Sequence, residues 1–172
     1  MTGAANIGAD VTTSGTQTYT DVVTLSGSDR TLTGSTVNTR ATLAGGGNAL
    51  TITGAANIDG AYSGITNLSV NGASNIGADI TTTGTQTYAS AVTLSGGDRT
   101  LAGSTINTRS TLAGSGNALA ISGSADIDGA YTGITNLSVS GTSNMGANVT
   151  TTGTQTYAGA VTLSGGDRTL TG

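Results

Sequence analysis

The chain has 172 residues, a formal net charge of −4, and no His, Cys, Lys, Glu, Pro, Phe or Trp. These absences exclude a zinc site of the usual kind, a thiol nucleophile and an imidazole base. The negative charge without a basic cluster argues against an electrostatic nucleic-acid binder, and no apolar run approaches the ~20 residues of a membrane span. Neither nucleic acid nor membrane insertion is therefore expected.

The composition leaves few residues for a hydrophobic core. Gly and Thr contribute 29 and 36 residues, whereas Val, Ile and Leu together contribute only 31. Aliphatic content below ~20% favours disorder, but only when the net charge is high. Two alternatives follow, a low-complexity linker or a fold that needs few apolar residues per unit, and the periodicity of the sequence decides between them.

A gapless 69-residue repeat runs through the whole chain. Residues 2–70 match residues 71–139 at 52 of 69 positions, and the partial copy 140–172 matches 71–103 at 26 of 33. Repetition at a fixed period is typical of solenoids and similar arrays. We therefore interpret residues 1–172 as one repetitive segment and not as a linker.

A shorter motif, apolar–x–apolar–x–Gly, recurs within each copy, and the residue numbers of successive starts differ by 27, 18 and 24 in rotation. Its alternation is that of a β-strand, and Thr, Val and Ile favour strands. No stretch has apolar residues at helical spacing, so helices are not expected. The motif begins at Val23, Leu50, Leu68, Val92, Leu119, Leu137 and Val161.

Short strands separated by turns could form an antiparallel sandwich, but a strand motif that recurs in phase favours an all-β right-handed parallel β-helix, a β-solenoid. Three motifs per 69-residue repeat predict about 7.5 coils averaging about 23 residues, hence a rod of about 36 Å at ~4.8 Å per coil. We expect no caps, because the chain begins and stops within a motif. It is then a window of a longer array, or a segment that stacks end to end.

Strings such as GANVTTTGTQTYAGAVTLSGGDRTLTG (146–172) resemble the repeats of large secreted bacterial adhesins, namely filamentous-haemagglutinin-like exoproteins and related autotransporter passengers. The resemblance covers the whole chain and concerns the style of the repeat. It implies a right-handed β-helix, an extracellular or cell-surface location and a role as a stalk or adhesive segment. The secretion domain of that family is not recognisable here, and neither is a signal peptide.

Small polar residues lie between the two apolar residues of the motif and should face outward. If successive motifs stack, these small polar residues form a surface ladder that could order water as ice-binding solenoids do. A plain solvated face is the commoner interpretation of such a ladder. The ladder comprises Thr24, Thr51, Ser69, Thr93, Ser138 and Thr162.

Two further sets of side chains recur with the repeat. Asn6, Asn57, Asn75 and Asn144 precede inward apolar residues, and we expect an Asn ladder along one corner with amides bonded from coil to coil. The tyrosines could stack on sugar rings of a host glycan, or could pack along a coil edge with the hydroxyl in water. They are Tyr19, Tyr62, Tyr88, Tyr131 and Tyr157.

The Asp residues do not predict a calcium site or an active site. Gly96-Gly97-Asp98-Arg99 lacks the spacing of calcium-binding nonapeptides, and Asp10 and Asp79 become Asn148 in the third copy. Glycosidase chemistry needs two carboxylates in one cleft, which near-identical repeats do not build. We expect no enzyme, no metal and no cofactor, and we assign Asp to turns.

The sequence therefore predicts a structural repeat segment of a secreted or cell-surface bacterial fibre or adhesin. Its expected partners are further copies of the same repeat, stacked end to end, and a host glycan or surface. The alternative function is a ligand-binding solenoid face, for ice or glycan, that uses the Thr/Ser ladder.

Overall fold

A computed structural model describes all 172 residues and consists of short strands and turns without a helix. Every strand pairs in parallel with strands of the neighbouring coils, so the predicted all-β parallel β-solenoid is confirmed and the antiparallel sandwich is not formed. The strands are β1 (Ala5–Ile7), β2 (Val11–Thr12), β3 (Gln17–Tyr19), β4 (Val23–Leu25), β5 (Arg30–Thr33), β6 (Thr36–Thr39), β7 (Leu43–Ala44), β8 (Leu50–Ile52), β9 (Ala55–Ile58), β10 (Tyr62–Ile65), β11 (Leu68–Val70), β12 (Ser74–Ile76), β13 (Ile80–Thr82), β14 (Thr85–Tyr88), β15 (Val92–Leu94), β16 (Arg99–Thr108), β17 (Leu112–Ile127), β18 (Tyr131–Val139), β19 (Ser143–Met145), β20 (Val149–Thr151), β21 (Gln155–Tyr157), β22 (Val161–Leu163) and β23 (Leu170–Thr171).

The strands stack into three faces that wrap one core. Face I starts with β1, β4 and β7, face II with β2, β5 and β8, and face III with β3, β6 and β9. Strands β16 to β18 are long because they continue around corners and contribute to more than one face. Each coil therefore contains three strand segments, one on each face.

The size of the coil differs from the sequence prediction. Neighbouring coils pair at small offsets in residue number, such as 18 between Ala5 and Val23 and 21 between Val11 and Leu32. Eight such steps lead along face I from Ala5 to Tyr157, which gives nine coils with a mean offset of 19. The expected number of about 7.5 larger coils was wrong because one motif was assigned to each coil. The right-handed winding stays a prediction.

The 69-residue repeat is out of phase with the coil by one third of a turn. The first repeat contains the eleven strands β1 to β11, and eleven strands at three per coil make three and two-thirds coils. Consequently β1 lies on face I, whereas its equivalents β12 and β19 lie on faces III and II. Successive copies of one sequence therefore follow each other around a threefold screw, with a rise of about 18 Å per copy at ~4.8 Å per coil.

Inward side chains fill a narrow continuous column. Within β4 and β8 the burial alternates, so Val23, Leu25, Leu50 and Ile52 are at most 1% exposed while the residue between each pair faces outward. The 34 buried apolar residues form one cluster along the axis. A column needs only a few aliphatic side chains per coil, which explains how so little apolar material suffices.

One corner of the coil depends on stacked glycines. Gly54 lies directly over the backbone of Gly34, and a Cβ on Gly54 would overlap the Gly34 carbonyl oxygen. Gly123 lies over Gly103 in the same way in the second repeat. Glycine permits this close approach of two backbones because it has no Cβ.

The threefold screw can be tested with pairs of spin labels, because the chain has no native cysteine. Thr24 and Thr93 are equivalent in the repeat but lie on faces I and III, about 18 Å apart along the axis. We expect the labelled pair Thr24→Cys/Thr93→Cys to give a longer distance than a same-face control, Thr31→Cys/Asn107→Cys, whose axial separation is about 19 Å.

Electron–electron double resonance would measure both distances. The pair Thr93→Cys/Thr162→Cys should reproduce the Thr24/Thr93 distance, since the same screw operation relates them. A Thr24/Thr93 distance no longer than the same-face control would contradict the screw.

Candidate functional site

The predicted Thr/Ser ladder is divided among the three faces. Thr51 and Ser69 are neighbours on face II, as predicted, and Thr162 lies at the far end of that face. Thr24 and Ser138 lie on face I and Thr93 lies on face III, so the expected single ladder was wrong. The one-third-turn offset moves equivalent residues of successive copies to a different face, and within the first copy the interval from Thr24 to Thr51 is longer than one coil. The continuous outward ladder of face II is Thr31, Thr51, Ser69, Thr87, Asn107, Asp126, Asn144 and Thr162.

The predicted Asn ladder is formed only in part. Asn57 and Asn75 are neighbours on face III, and the amide nitrogen of Asn75 donates to Oδ1 of Asn57 at 2.6 Å. Asn144 lies on face II, where its amide donates to Oδ1 of Asp126 at 2.7 Å, and Asn6 lies on face I opposite Thr24. These side chains project from the middle of strands and not from one corner.

The tyrosines are internal, so both interpretations of them as surface rings were wrong. Tyr62, Tyr88 and Tyr131 are at most 1% exposed, and Tyr19 is also buried. The Tyr62 hydroxyl lies 2.9 Å from Oγ1 of Thr39, and the Tyr131 hydroxyl lies 2.8 Å from Oγ1 of Thr108. Burial raises the pKa of these phenols well above the usual value of 10.

An inward-facing Gln links two coils in each copy of the Thr-Gln-Thr-Tyr string. The amide nitrogen of Gln86 donates to the carbonyl of Ile80 at 3.1 Å and to that of Ala102, one coil later, at 2.8 Å. Its oxygen accepts the Tyr88 hydroxyl at 2.9 Å. Gln17 and Gln155 make the equivalent bonds in the other copies. Each of these three side chains thereby bonds to backbone carbonyls of two neighbouring coils and keeps its own buried amide paired.

Sequence reasoning missed this internal polar network, although a signal was present. Gln86 and Tyr88 alternate with Thr85 and Thr87 in the way that Val92 and Leu94 alternate with Thr93. The same alternation places Gln and Tyr on the inward side. We treated the tyrosines as surface residues because their hydroxyl groups are polar, and we assigned Gln86 to neither side.

Corner Asp and Asn side chains accept an amide from the next coil. Oδ1 of Asp10 accepts the Thr31 N–H at 2.9 Å, and Oδ1 of Asp79 accepts the Thr100 N–H at 2.9 Å. Asn148 does the same for Thr169 at 3.0 Å. An Asn oxygen accepts this bond as an Asp oxygen does, which explains why the charge changes between copies without loss of the contact.

The Asp29-Arg30 pair at the Ser-Gly-x-Asp-Arg turn of the first copy contacts the coils on either side. Oδ1 of Asp29 accepts the Ala49 N–H of the next coil at 2.8 Å. Arg30 is 9% exposed, and its Nε donates to the carbonyl of Ile7 in the preceding coil at 3.3 Å. Its two terminal nitrogens donate to Ser28, to the Asp29 carbonyl and to the Ser26 carbonyl. The pair therefore ties coils together and needs no ligand.

The remaining concave surface is shallow. A groove of about 450 Å³ on face III runs along Ala55, Ala73 and Ala91 beside Asn57 and Asn75, and no titratable side chain lines it. The chain holds no group of three or more His, Cys, Asp or Glu side chains that could bind a metal ion. It also lacks a helix of the length and apolarity that a membrane crossing requires.

Comparison of the chain with protein-family models, with curated proteins and with solved structures finds no match. The adhesin-like expectation therefore stands on the style of the repeat alone.

The corner acceptor can be tested at Asp79. We expect Asp79→Asn to leave the free energy of unfolding unchanged, because the amide oxygen can accept the Thr100 N–H as Asn148 accepts that of Thr169. Asp79→Ala should lower it by about 0.5–1 kcal/mol through loss of one hydrogen bond. Urea denaturation of the three proteins would measure this, and an Asn variant as unstable as the Ala variant would contradict the role of the oxygen.

The buried tyrosines predict alkaline unfolding. Burial holds the pKa of Tyr62, Tyr88 and Tyr131 far above 10 and raises the pKa of Tyr157 to about 12. Above pH 10 the unfolded chain releases phenolic protons that the folded chain keeps, so stability is complete below pH 10 and falls as pH rises toward the folded values. Each of the three fully buried phenols should contribute about 1.4 kcal/mol per pH unit to this fall.

The measurement is a titration of tyrosinate absorbance alongside circular dichroism. We expect tyrosinate to appear together with loss of β-structure. Titration of all five tyrosines near pH 10 in a chain that keeps its β-structure would contradict the buried positions.

Proposed function

We propose that the chain is a structural repeat segment of a secreted or cell-surface bacterial fibre of the adhesin type. The observation that carries this proposal is the uniformity of the coil. Three strand segments recur in each of nine coils, corner contacts such as those of Asp10 and Asp79 recur once in each copy of the repeat, and the surface offers only shallow grooves. Further copies of the repeat would lengthen such a rod by about 18 Å each without changing its cross-section.

The outward side chains also suit a long fibre in water. They are mostly Thr, Ser and Asn, and only 14 of 172 residues are charged. The polar outer face of each strand hides the apolar column from solvent along the whole rod. Contacts with a host surface would then be weak and numerous, and the repetition on all three faces would strengthen them by avidity.

A dedicated ice-binding or glycan-binding face receives no support from a specific contact. Asn107, Asp126 and Asn144 interrupt the hydroxyl ladder of face II, and four of the five tyrosine rings are buried in the column. We therefore propose no second function.

The proposed location and shape can be tested on the producing cells. Antibodies raised against the purified chain should label filaments outside intact cells in immunogold electron microscopy. Protease added to intact cells should remove this label, while a cytosolic control protein stays intact until the cells are lysed. A label that is confined to the cytosol and protected from protease would overturn the proposal.

A further inference from the structure

Three asparagines of the chain lie in the sequence Asn-x-Ser/Thr, which is the acceptor sequence for N-linked glycosylation. The three sequences are Asn67-Leu68-Ser69, Asn136-Leu137-Ser138 and Asn148-Val149-Thr150. Asn67 and Asn136 are equivalent in the first two copies of the repeat, whereas Asn148 stands where those copies have Asp. A chain rich in Asn, Ser and Thr contains such triplets by chance, so the geometry of each side chain has to decide whether it is a site.

The amide oxygen of each of these asparagines is held by the next coil. Oδ1 of Asn67 accepts the Thr85 N–H at 2.8 Å and the Thr85 hydroxyl at 3.1 Å. Oδ1 of Asn136 accepts the Thr154 N–H at 2.9 Å and the Thr154 hydroxyl at 3.1 Å, and Oδ1 of Asn148 accepts a backbone N–H at 3.0 Å. Because a backbone N–H only donates, the atom that faces it must be the oxygen, and this fixes the orientation of each amide group.

The amide nitrogens of the same three side chains are unpaired. All recorded bonds of Asn67, Asn136 and Asn148 end on the oxygen, and Nδ2 of each makes none. Most of the other asparagines instead use Nδ2 as a hydrogen-bond donor. These donors are Asn38, Asn48, Asn57, Asn75, Asn107, Asn117 and Asn144. The nitrogen that glycosylation requires is therefore available in every acceptor sequence and engaged at most other asparagines.

Each acceptor nitrogen lies beside its hydroxyl residue on the outside of the rod. All three asparagines are exposed. The apolar residue that follows each of them is at most 1% exposed, namely Leu68, Leu137 and Val149. Because side chains alternate along a strand, the Asn and the Ser or Thr two residues later project together to the outer side. A sugar on Nδ2 would extend into solvent and leave the bond of Oδ1 to the next coil intact.

We propose that Asn67, Asn136 and Asn148 are sites of N-linked glycosylation by a transferase of the producing cell. In the reaction, Nδ2 attacks the anomeric carbon of a sugar that is activated as a diphosphate ester. The new N–C bond replaces the C–O bond to the diphosphate, which leaves with the electron pair, and Nδ2 releases one proton. The proposal rests on the proposed function as a secreted or cell-surface fibre, to which attached sugars add a bulky, solubilising layer.

The attached sugars would surround the rod and not cover one face. Asn67 directly precedes strand β11 on face II, whereas Asn136 precedes Leu137 and Ser138 on face I. The threefold screw separates these two equivalent sites by about 18 Å along the axis. The same screw that distributes the strand motifs over three faces therefore distributes the sugars.

The first test is mass spectrometry of the chain isolated from the producing cells. Tandem spectra of its proteolytic peptides should show a sugar on Asn67, Asn136 and Asn148. Asn71 is the internal control, because it is exposed and its Nδ2 is unpaired, but Ala73 occupies the position of the hydroxyl residue. A single monosaccharide would indicate a nucleotide-linked sugar donor and a preassembled oligosaccharide a lipid-linked one, and either result would support the proposal.

Variants produced in the same cells separate the acceptor sequence from the fold. Ser69→Ala should remove the sugar from Asn67, whereas Ser69→Thr should keep it. Asn148→Asp should remove the sugar from that site and keep the bond to the next coil, since Asp79 accepts the equivalent amide in the second copy. Unchanged circular dichroism and unfolding midpoints would show that the variants fold.

Absence of sugar from all three sites in the wild-type chain would overturn the glycosylation proposal, and this measurement needs no variant. A sugar that persists on Asn67 in Ser69→Ala, or that occupies Asn71 as fully as Asn67, would overturn it too. A chain that immunogold labelling places outside the cell but that carries no sugar would overturn this proposal alone and leave the proposed function in place.

Discussion

The parallel backbone ladder between neighbouring coils is the constraint on which the rest of this structure depends. Once a strand pairs with the equivalent strand of the next coil, its N–H and C=O groups are satisfied and its side chains alternate between core and solvent. Everything else in the coil must then fit a fixed rise of ~4.8 Å per coil. Core residues must fit between coils at this spacing, and each corner must turn within a few residues.

The corners hold the most specific chemistry because the ladder is interrupted there. Backbone groups at a turn lose their regular partners and lie close to a dry core, so an unpaired group would be costly. Asp79 and its equivalents accept one amide from outside, whereas Gln86 and its equivalents donate to carbonyls from inside. Arg30 donates to carbonyls of its own turn and of the preceding coil. These corner side chains therefore serve cohesion between coils.

The phase between repeat and coil controls what the surface can display. A repeat of whole coils would place each motif on one face and build a long uniform ladder there. Eleven strands per repeat move each copy by one third of a turn, so no face becomes specialised and all three carry the same motifs in rotation. This arrangement suits a fibre that meets its surroundings from every side. It is poorly suited to ice binding, which would need a flat surface on one side of the rod that matches the ice lattice.

Some of this was readable from the sequence for a simple physical reason. The alternation in Val23-Thr24-Leu25 and the 69-residue repeat determined strands, parallel stacking and the outward position of Thr24, because a strand has a period of two wherever it lies. The absence of His, Cys and Glu likewise limited the kinds of metal site and active site that the chain could hold, before any fold was known. The pair Thr51 and Ser69 was placed correctly because the interval between its two residue numbers happens to equal one coil.

Only the tertiary structure decided the length of the coil, and with it the neighbours of every side chain. Coil length depends on how tightly the chain turns at each corner, as where Gly54 lies over Gly34, and such long-range packing leaves no periodic mark in the sequence. The alternation of Gln86 and Tyr88 with threonine indicated the inward side, but the sequence did not show which groups would bond to them there. A polar side chain is expected at the surface unless it has a hydrogen-bond partner inside the protein. The stacking of coils brings two such partners to Gln86, the carbonyls of Ile80 and Ala102.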